Sequence, residues 1–154
     1  MTATHQLKQL ALRPLVAEDL REVLVIERNS YDFPWSSGIF NDCLRTGYLA
    51  WGAWLESKLI AYCVMAIAVD DAHILNLCVS ADHHRRGIGR DLLDYMIGVA
   101  KDHCANRALL EVRPSNLAAI KLYQRSGFVQ VGVRRDYYPA KRGREDALVL
   151  VKRI

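Results

Sequence analysis

His84-Arg85-Arg86-Gly87-Ile88-Gly89-Arg90 decides how the rest of this chain is read. Upstream, His73 to Val79 reads as a strand, and downstream Leu92, Leu93, Met96, Val99 and Ala100 mark the apolar face of a long helix that fades near His103 and Asn106. A basic, glycine-bearing loop between strand and helix presents backbone N–H groups at the positive end of the helix, where an anion is stabilised. Glycine lets that anion approach closely. By itself the segment also fits a solvated, positively charged turn, because short G-x-G matches are common. A dinucleotide-binding loop needs a third glycine where Leu92 stands, and a P-loop needs four residues between its glycines followed by Lys and Ser or Thr. Neither pattern is present.

Working outward, Leu10 and Leu12 read as a first strand ended by Pro14, followed by a helix over Glu18 to Arg28 with Leu20, Val23, Leu24 and Glu27 at helical spacing. A second helix starts at the N-cap Ser36, turns Ile39, Phe40, Cys43 and Leu44 inward, and stops at Gly47. From Tyr48 to Ser80 the pattern is three strands in an antiparallel meander, the first two joined at Glu56, Ser57 and Lys58. Beyond the long helix lie a strand over Ala108 to Arg113 and a helix from the N-cap Ser115 to Ser126, with Gly127 as its stop. Two last strands occupy Phe128 to Arg135 and Asp146 to Lys152. No repeat or Gly/Ser linker divides this order, so residues 1–154 read as one α+β domain.

Composition narrows the function classes. With 51% apolar and 25% charged residues the chain has ordinary globular balance. Its longest uncharged apolar run, Leu59 to Val69, is far short of the ~20 residues a membrane helix needs and reads as a buried strand. Met1 to Arg13 shows no export signal, which points to the cytoplasm. Cys43, Cys63, Cys78 and Cys104 are scattered without a C-x-x-C pair, so reduced thiols are expected, and the histidines lack metal-ligand spacing. The net charge of +4 is mild, but Arg and Lys gather at 85–90 and 134–144, which suits small anionic partners such as phosphates.

The loop resembles the R/Q-x-x-G-x-G/A acetyl-CoA signature of the GNAT N-acetyltransferases. The segment Asn116-x-x-Ala119-x-x-Leu122-Tyr123-x-x-x-Gly127-Phe128 resembles their second signature. Tyr31-Asp32-Phe33-Pro34-Trp35-Ser36, Arg135-Asp136-Tyr137-Tyr138-Pro139 and Glu145-Asp146-Ala147 extend the similarity over nearly the whole chain, towards the bacterial RimI branch. That branch acetylates the N-terminal alanine of a small-subunit ribosomal protein. The resemblance implies a three-layer α/β/α fold with a mixed, mainly antiparallel central sheet, and acetyl-CoA as co-substrate without a metal. It implies that backbone groups of Leu77, Cys78 and Val79 meet the acetyl and pantetheine parts, that Arg85, Arg86, Gly87, Ile88, Gly89 and Arg90 hold the pyrophosphate, and that Asn116 touches the cofactor. His84 departs from the pattern, standing where Gln or Arg is usual.

Acetyl transfer needs a neutral amine, and an α-amine has a pKa of ~8, so a carboxylate must accept its proton directly or through water. Glu111 is the candidate: a carboxylate in so apolar a strand needs a reason, either catalysis or an ion pair with Arg113 on the same strand face. The departing thiolate needs a proton donor; the spacing of Tyr123 beside Ile120 and Leu122 favours a core aromatic, and it is the family resemblance that assigns Tyr123 the donor role. These roles describe direct attack in a ternary complex, with a backbone N–H near Val79 polarising the thioester carbonyl. A covalent route through Cys78 lacks a neighbouring base.

On the acceptor side, Tyr138 and Glu145 are candidates to receive a peptide's backbone and amine, against the reading of a surface hairpin. Trp35 is a candidate wall of that channel, against a hydrophobic staple for the following helix. Two rival functions stand beside N-terminal acetylation: acetylation of lysine side chains or small amines on the same scaffold, and a non-catalytic RNA- or ribosome-binding module. No RNA motif supports the latter, so no direct nucleic-acid partner is expected.

Overall fold

A computed structural model describes residues 10–154. The reading of the chain's start as free of an export signal falls mostly on residues 1–9, outside the described residues.

The strands are β1 (Ala11–Pro14), β2 (Leu49–Leu55), β3 (Lys58–Ala68), β4 (Asp71–Val79), β5 (Arg107–Val112), β6 (Val129–Pro139) and β7 (Arg144–Arg153). The α-helices are α1 (Leu20–Ser30), α2 (Ser37–Thr46), α3 (Ile88–Asp102) and α4 (Leu117–Arg125). The strands form a sheet in the order β1-β2-β3-β4-β5-β7-β6. Every neighbouring pair is antiparallel except β4 and β5, which the long crossover through α3 makes parallel. On one face α1 and α2 bury Leu20, Val23, Ile26, Phe40 and Cys43 against Tyr62, Val64 and Cys78. On the other, α3 and α4 bury Leu92, Leu93, Met96 and Tyr123 against Ile60, Cys63, Met65 and Leu110. This is the three-layer, mainly antiparallel arrangement expected from the sequence. No helix among the described residues is long and apolar enough to cross a membrane.

The expected stops hold for a backbone reason: Gly47 ends α2 at φ +84° and Gly127 follows α4 at φ +95°, where a Cβ is strained. At the start of α2, Ser36 accepts from the N–H of Ile39 at 3.2 Å, and the rings of Trp35 and Phe40 lie 5.2 Å apart as a staple. Ile39, expected inward, is 43% exposed, because the staple and the core contact fall on Phe40 and Cys43.

Two further boundaries differ from the sequence reading. The N-cap of α4 is Asn116, whose side chain accepts from the N–H of Ala119 at 3.2 Å. Ser115 instead gives its backbone N–H to Glu145 at 3.0 Å. Asn116→Ala is therefore expected to cost about 1 kcal/mol and Ser115→Ala less than ~0.5 kcal/mol in urea unfolding. Strand β6 also runs on to Pro139, because Tyr138 pairs with Glu145 and Pro139 with Arg144 across the hairpin.

The sheet opens between β4 and β5. Their ladder runs only from Asp71 opposite Arg107 to Ile74 opposite Leu110. On the other side of β4, Met65 pairs with Ile74 and Val64 with Asn76, so Leu75 is a bulge residue. The bulge reverses the alternation: Ile74 packs with α3, whereas Cys78 packs with α1 and α2. Past it, Leu75 to Val79 have no strand neighbour on the β5 side.

Candidate active site

A cleft of about 890 Å³ occupies this opening. Of the residues singled out in the sequence, Trp35, Leu77, Glu111, Asn116, Tyr123, Tyr138 and Glu145 line it. Cys78, Val79 and Arg85 to Arg90 do not, and the loop instead follows β4 past the cleft's edge.

Glu111 comes from β5 just beyond the last paired residue, with its side chain 7% exposed. It is not paired with Arg113. Its Oε2 lies 2.5 Å from Nε2 of His73, and its Oε1 lies 3.4 Å from Nε of Arg134. The His73 contact first, and the charges of His73 and Arg134 after it, hold the Glu111 carboxyl below the usual carboxylate range despite burial. Arg113 turns to the hairpin, donating to the Pro139 carbonyl at 2.8 Å and to Glu145 at 3.0 Å, with its guanidinium over the Tyr138 ring at 4.4 Å. Ser115 first, and Arg113 after it, thus occupy both oxygens of Glu145 and hold its carboxyl low.

Tyr123 projects from α4 and is nearly buried, its ring edge-on to Phe128 at 5.7 Å. Burial raises its pKa, so the phenol keeps its proton across the physiological range. The Tyr138 phenol is likewise pushed up to about 12, chiefly by burial.

Glu27, which the sequence placed only on a helix face, is 1% exposed and lines the cleft. Asn76 Nδ2 donates to both its oxygens at 3.2 and 3.1 Å, the Trp35 N–H donates at 3.2 Å, and the Tyr62 hydroxyl also donates. Tyr31 donates to the Leu77 carbonyl at 3.3 Å. His73, Arg134 and Asn76 carried no local signal in the sequence, since strand register and the Leu75 bulge bring Asn76 to the cleft and set His73 and Arg134 against Glu111. The Cys78 thiol faces the α1 and α2 layer, and burial first of all pushes its pKa up, which opposes its use as a nucleophile.

The glycine loop enters α3 with Arg85 at φ +62° and Gly87 at φ +77°. Gly87 caps the helix without a side-chain hydrogen bond, so the first-turn N–H groups face outward without a capping acceptor. That donor set, flanked by Arg85, Arg86 and Arg90, suits a pyrophosphate. The atypical His84 points elsewhere: its Nε2–H donates to the Val79 carbonyl at 2.7 Å and ties the loop to the end of β4.

Residues 10–128 match the profile of the acetyltransferase (GNAT) family. The chain belongs to that family. This acetyltransferase is 36% identical over 136 residues to the ribosomal protein bS18-alanine N-acetyltransferase of Escherichia coli K12, covering 88% of the chain and 92% of that enzyme. The Haemophilus ducreyi enzyme of the same name is 30% identical over 140 residues, covering 90% and 97%. The crystal structure of the ribosomal-protein-S18-alanine N-acetyltransferase from Escherichia coli superposes with a TM-score of 0.88 at 34% identity, over 94% of each chain. In this acetyltransferase both family signatures flank the opening: the first runs from β4 into α3, and the second forms α4, which carries Tyr123.

Proposed function

We propose that this acetyltransferase transfers the acetyl group of acetyl-CoA to the N-terminal alanine α-amine of a small-subunit ribosomal protein, in the cytoplasm, by direct attack in a ternary complex. The observation that carries the chemistry is the convergence of Glu111 and Tyr123 on one cleft where β4 has lost its neighbour. Similarity to the bS18-alanine enzymes supports the acceptor.

When bound, acetyl-CoA supplies a thioester whose acyl carbon the amine attacks and whose sulfur must leave as a thiol. The first turn of α3 with Arg85, Arg86 and Arg90 would hold its pyrophosphate, and the free edge of β4 from Leu77 to Val79 its pantetheine and acetyl parts. Asn116 would meet it at the head of α4. Glu111 draws the arriving ammonium and accepts its proton directly or through water. A backbone N–H near Val79 polarises the acyl oxygen, and Tyr123, still protonated, donates towards the leaving sulfur. Trp35 walls the acceptor side. Tyr138 lines it with a neutral hydroxyl, and Glu145, clamped by Arg113 and Ser115, fixes the hairpin that closes it.

The deciding experiment offers three peptides: one with N-terminal Ala, one with N-terminal Met, and one acetyl-blocked with an internal Lys. Mass spectrometry should find acetylation at the Ala α-amine, whereas modification confined to Lys would establish the side-chain reading. Glu111→Gln should lower kcat/KM about a hundredfold at neutral pH. The deficit should shrink as pH passes the amine's pKa of ~8 and the substrate arrives already neutral. A pH-independent deficit would remove Glu111 from the proton transfer.

A further inference from the structure

His73 is the partner of Glu111 that the scheme above leaves unused. It stands on β4 opposite Leu109 of β5, so the parallel ladder brings Glu111, two residues further on, to the same sheet face. Glu111 lines the cleft with its side chain 7% exposed, whereas the His73 side chain is 30% exposed and is not part of the lining. The imidazole therefore backs the carboxylate from its solvent side. At 2.5 Å, Nε2 carries the hydrogen that Oε2 accepts, which makes Nδ1 the unprotonated nitrogen of the neutral ring.

Few other charges complicate that pair. Arg134 of β6 reaches the second carboxylate oxygen at 3.4 Å from a half-exposed position, and Tyr138 of the same strand is a neutral phenol. Asp71 at the head of β4 is held by Arg107 of β5 at 2.7 Å. Ala66 of β3 and Val149 of β7, the strand neighbours of His73 and Glu111, carry no charge.

Resting on the acyl-transfer reading above, we propose that His73 is a positioning residue: its Nε2–H fixes the cleft-facing Glu111 carboxylate, and its protonation turns that carboxylate from a proton acceptor into half of an ion pair. With the imidazole neutral, Oε2 is pinned and Oε1 accepts the amine's proton, which passes to solvent after product leaves. With Nδ1 also protonated, a full positive charge sits beside Oε2 and Glu111 loses affinity for that proton. Histidine is suited to the role because one ring nitrogen can gain a proton while the other keeps its hydrogen bond to the carboxylate, which neither lysine nor glutamine can do.

The test compares wild type, His73→Ala and His73→Gln on an Ala-starting peptide across about pH 5.5 to 9, a range that spans the ordinary histidine pKa. Acetyl-CoA affinity is measured in parallel. The substrate amine titrates identically for all three, so differences belong to the enzyme. We expect His73→Ala to lose about tenfold in kcat at neutral pH with acetyl-CoA Kd within about twofold. His73→Gln, whose amide still donates, should recover most of that rate while its profile loses the inflection of the imidazole. As a readout independent of turnover, the His73 ring followed by NMR should titrate at lower pH in Glu111→Gln, because its anionic partner is gone. His73→Gln and wild-type profiles that superimpose, or a His73 titration unmoved in Glu111→Gln, would overturn the proposal. A wild-type enzyme that acetylates no amine would overturn the functional reading and this proposal together; an active enzyme indifferent to His73 would overturn this proposal alone.

Discussion

Tyr123→Phe is expected to lower kcat for peptide acetylation by about two to three orders of magnitude, within the span of about two to four orders ascribed to a positioned general acid. Phenylalanine keeps the ring that packs edge-on against Phe128 and removes only the hydroxyl. The fold and the Arg85 to Arg90 loop should be untouched, so acetyl-CoA Kd should stay within about twofold. Burial keeps the native phenol protonated, so no acid or base limb of the wild-type profile should belong to it. The decisive measurement is single-turnover acetylation at saturating acetyl-CoA. A variant within a factor of two of wild type would show that Tyr123 only fills space, which is what its place beside Ile120 and Leu122 allows.

Glu27→Ala should produce the largest loss of stability, about 3 to 5 kcal/mol, by stranding the Tyr62 hydroxyl, the Asn76 amide and the Trp35 N–H in a buried place. Each buried donor without an acceptor costs about 1 to 3 kcal/mol, and Tyr62 is fully buried, so water does not replace the carboxylate there. In a domain of this size the change corresponds to a fall of about 10 °C in Tm. Tyr62→Phe removes one donor and leaves the others in place, so about 1 kcal/mol is expected. Chemical denaturation of the three proteins checks the ordering. A Glu27→Ala cost near 1 kcal/mol would mean that the network is readily rebuilt around solvent.

The same network explains why Glu27 was legible only in part. Its helical spacing with Leu20, Val23 and Leu24 placed it on the inward face of α1, but nothing near it in the chain announced acceptors for Tyr62 and Asn76. Glu111 is the converse case. A carboxylate between Leu110 and Val112 announced itself as buried and in need of a partner. The local candidate, Arg113, proved to be committed to Glu145, and the partner is His73, 38 residues away.

The sequence by itself determined the order of elements, the glycine stops and the family, because these rest on short-range chemistry. Hydrophobic period distinguishes helix from strand, Gly47 and Gly127 permit positive φ, and the loop's residues lie side by side in the chain. Only the tertiary structure decided how the loop relates to the chemistry. The parallel pairing of β4 with β5 ends at Ile74 and the Leu75 bulge reverses the faces of β4, so a cleft opens into which Glu111 and Tyr123 reach from different layers. Register and bulges depend on contacts between strands far apart in sequence, where one extra residue moves every following side chain to the other face. The loop of Arg85 to Arg90 was therefore legible as a basic turn at a helix start, while the unzipped edge beside it decided which distant side chains share one cleft.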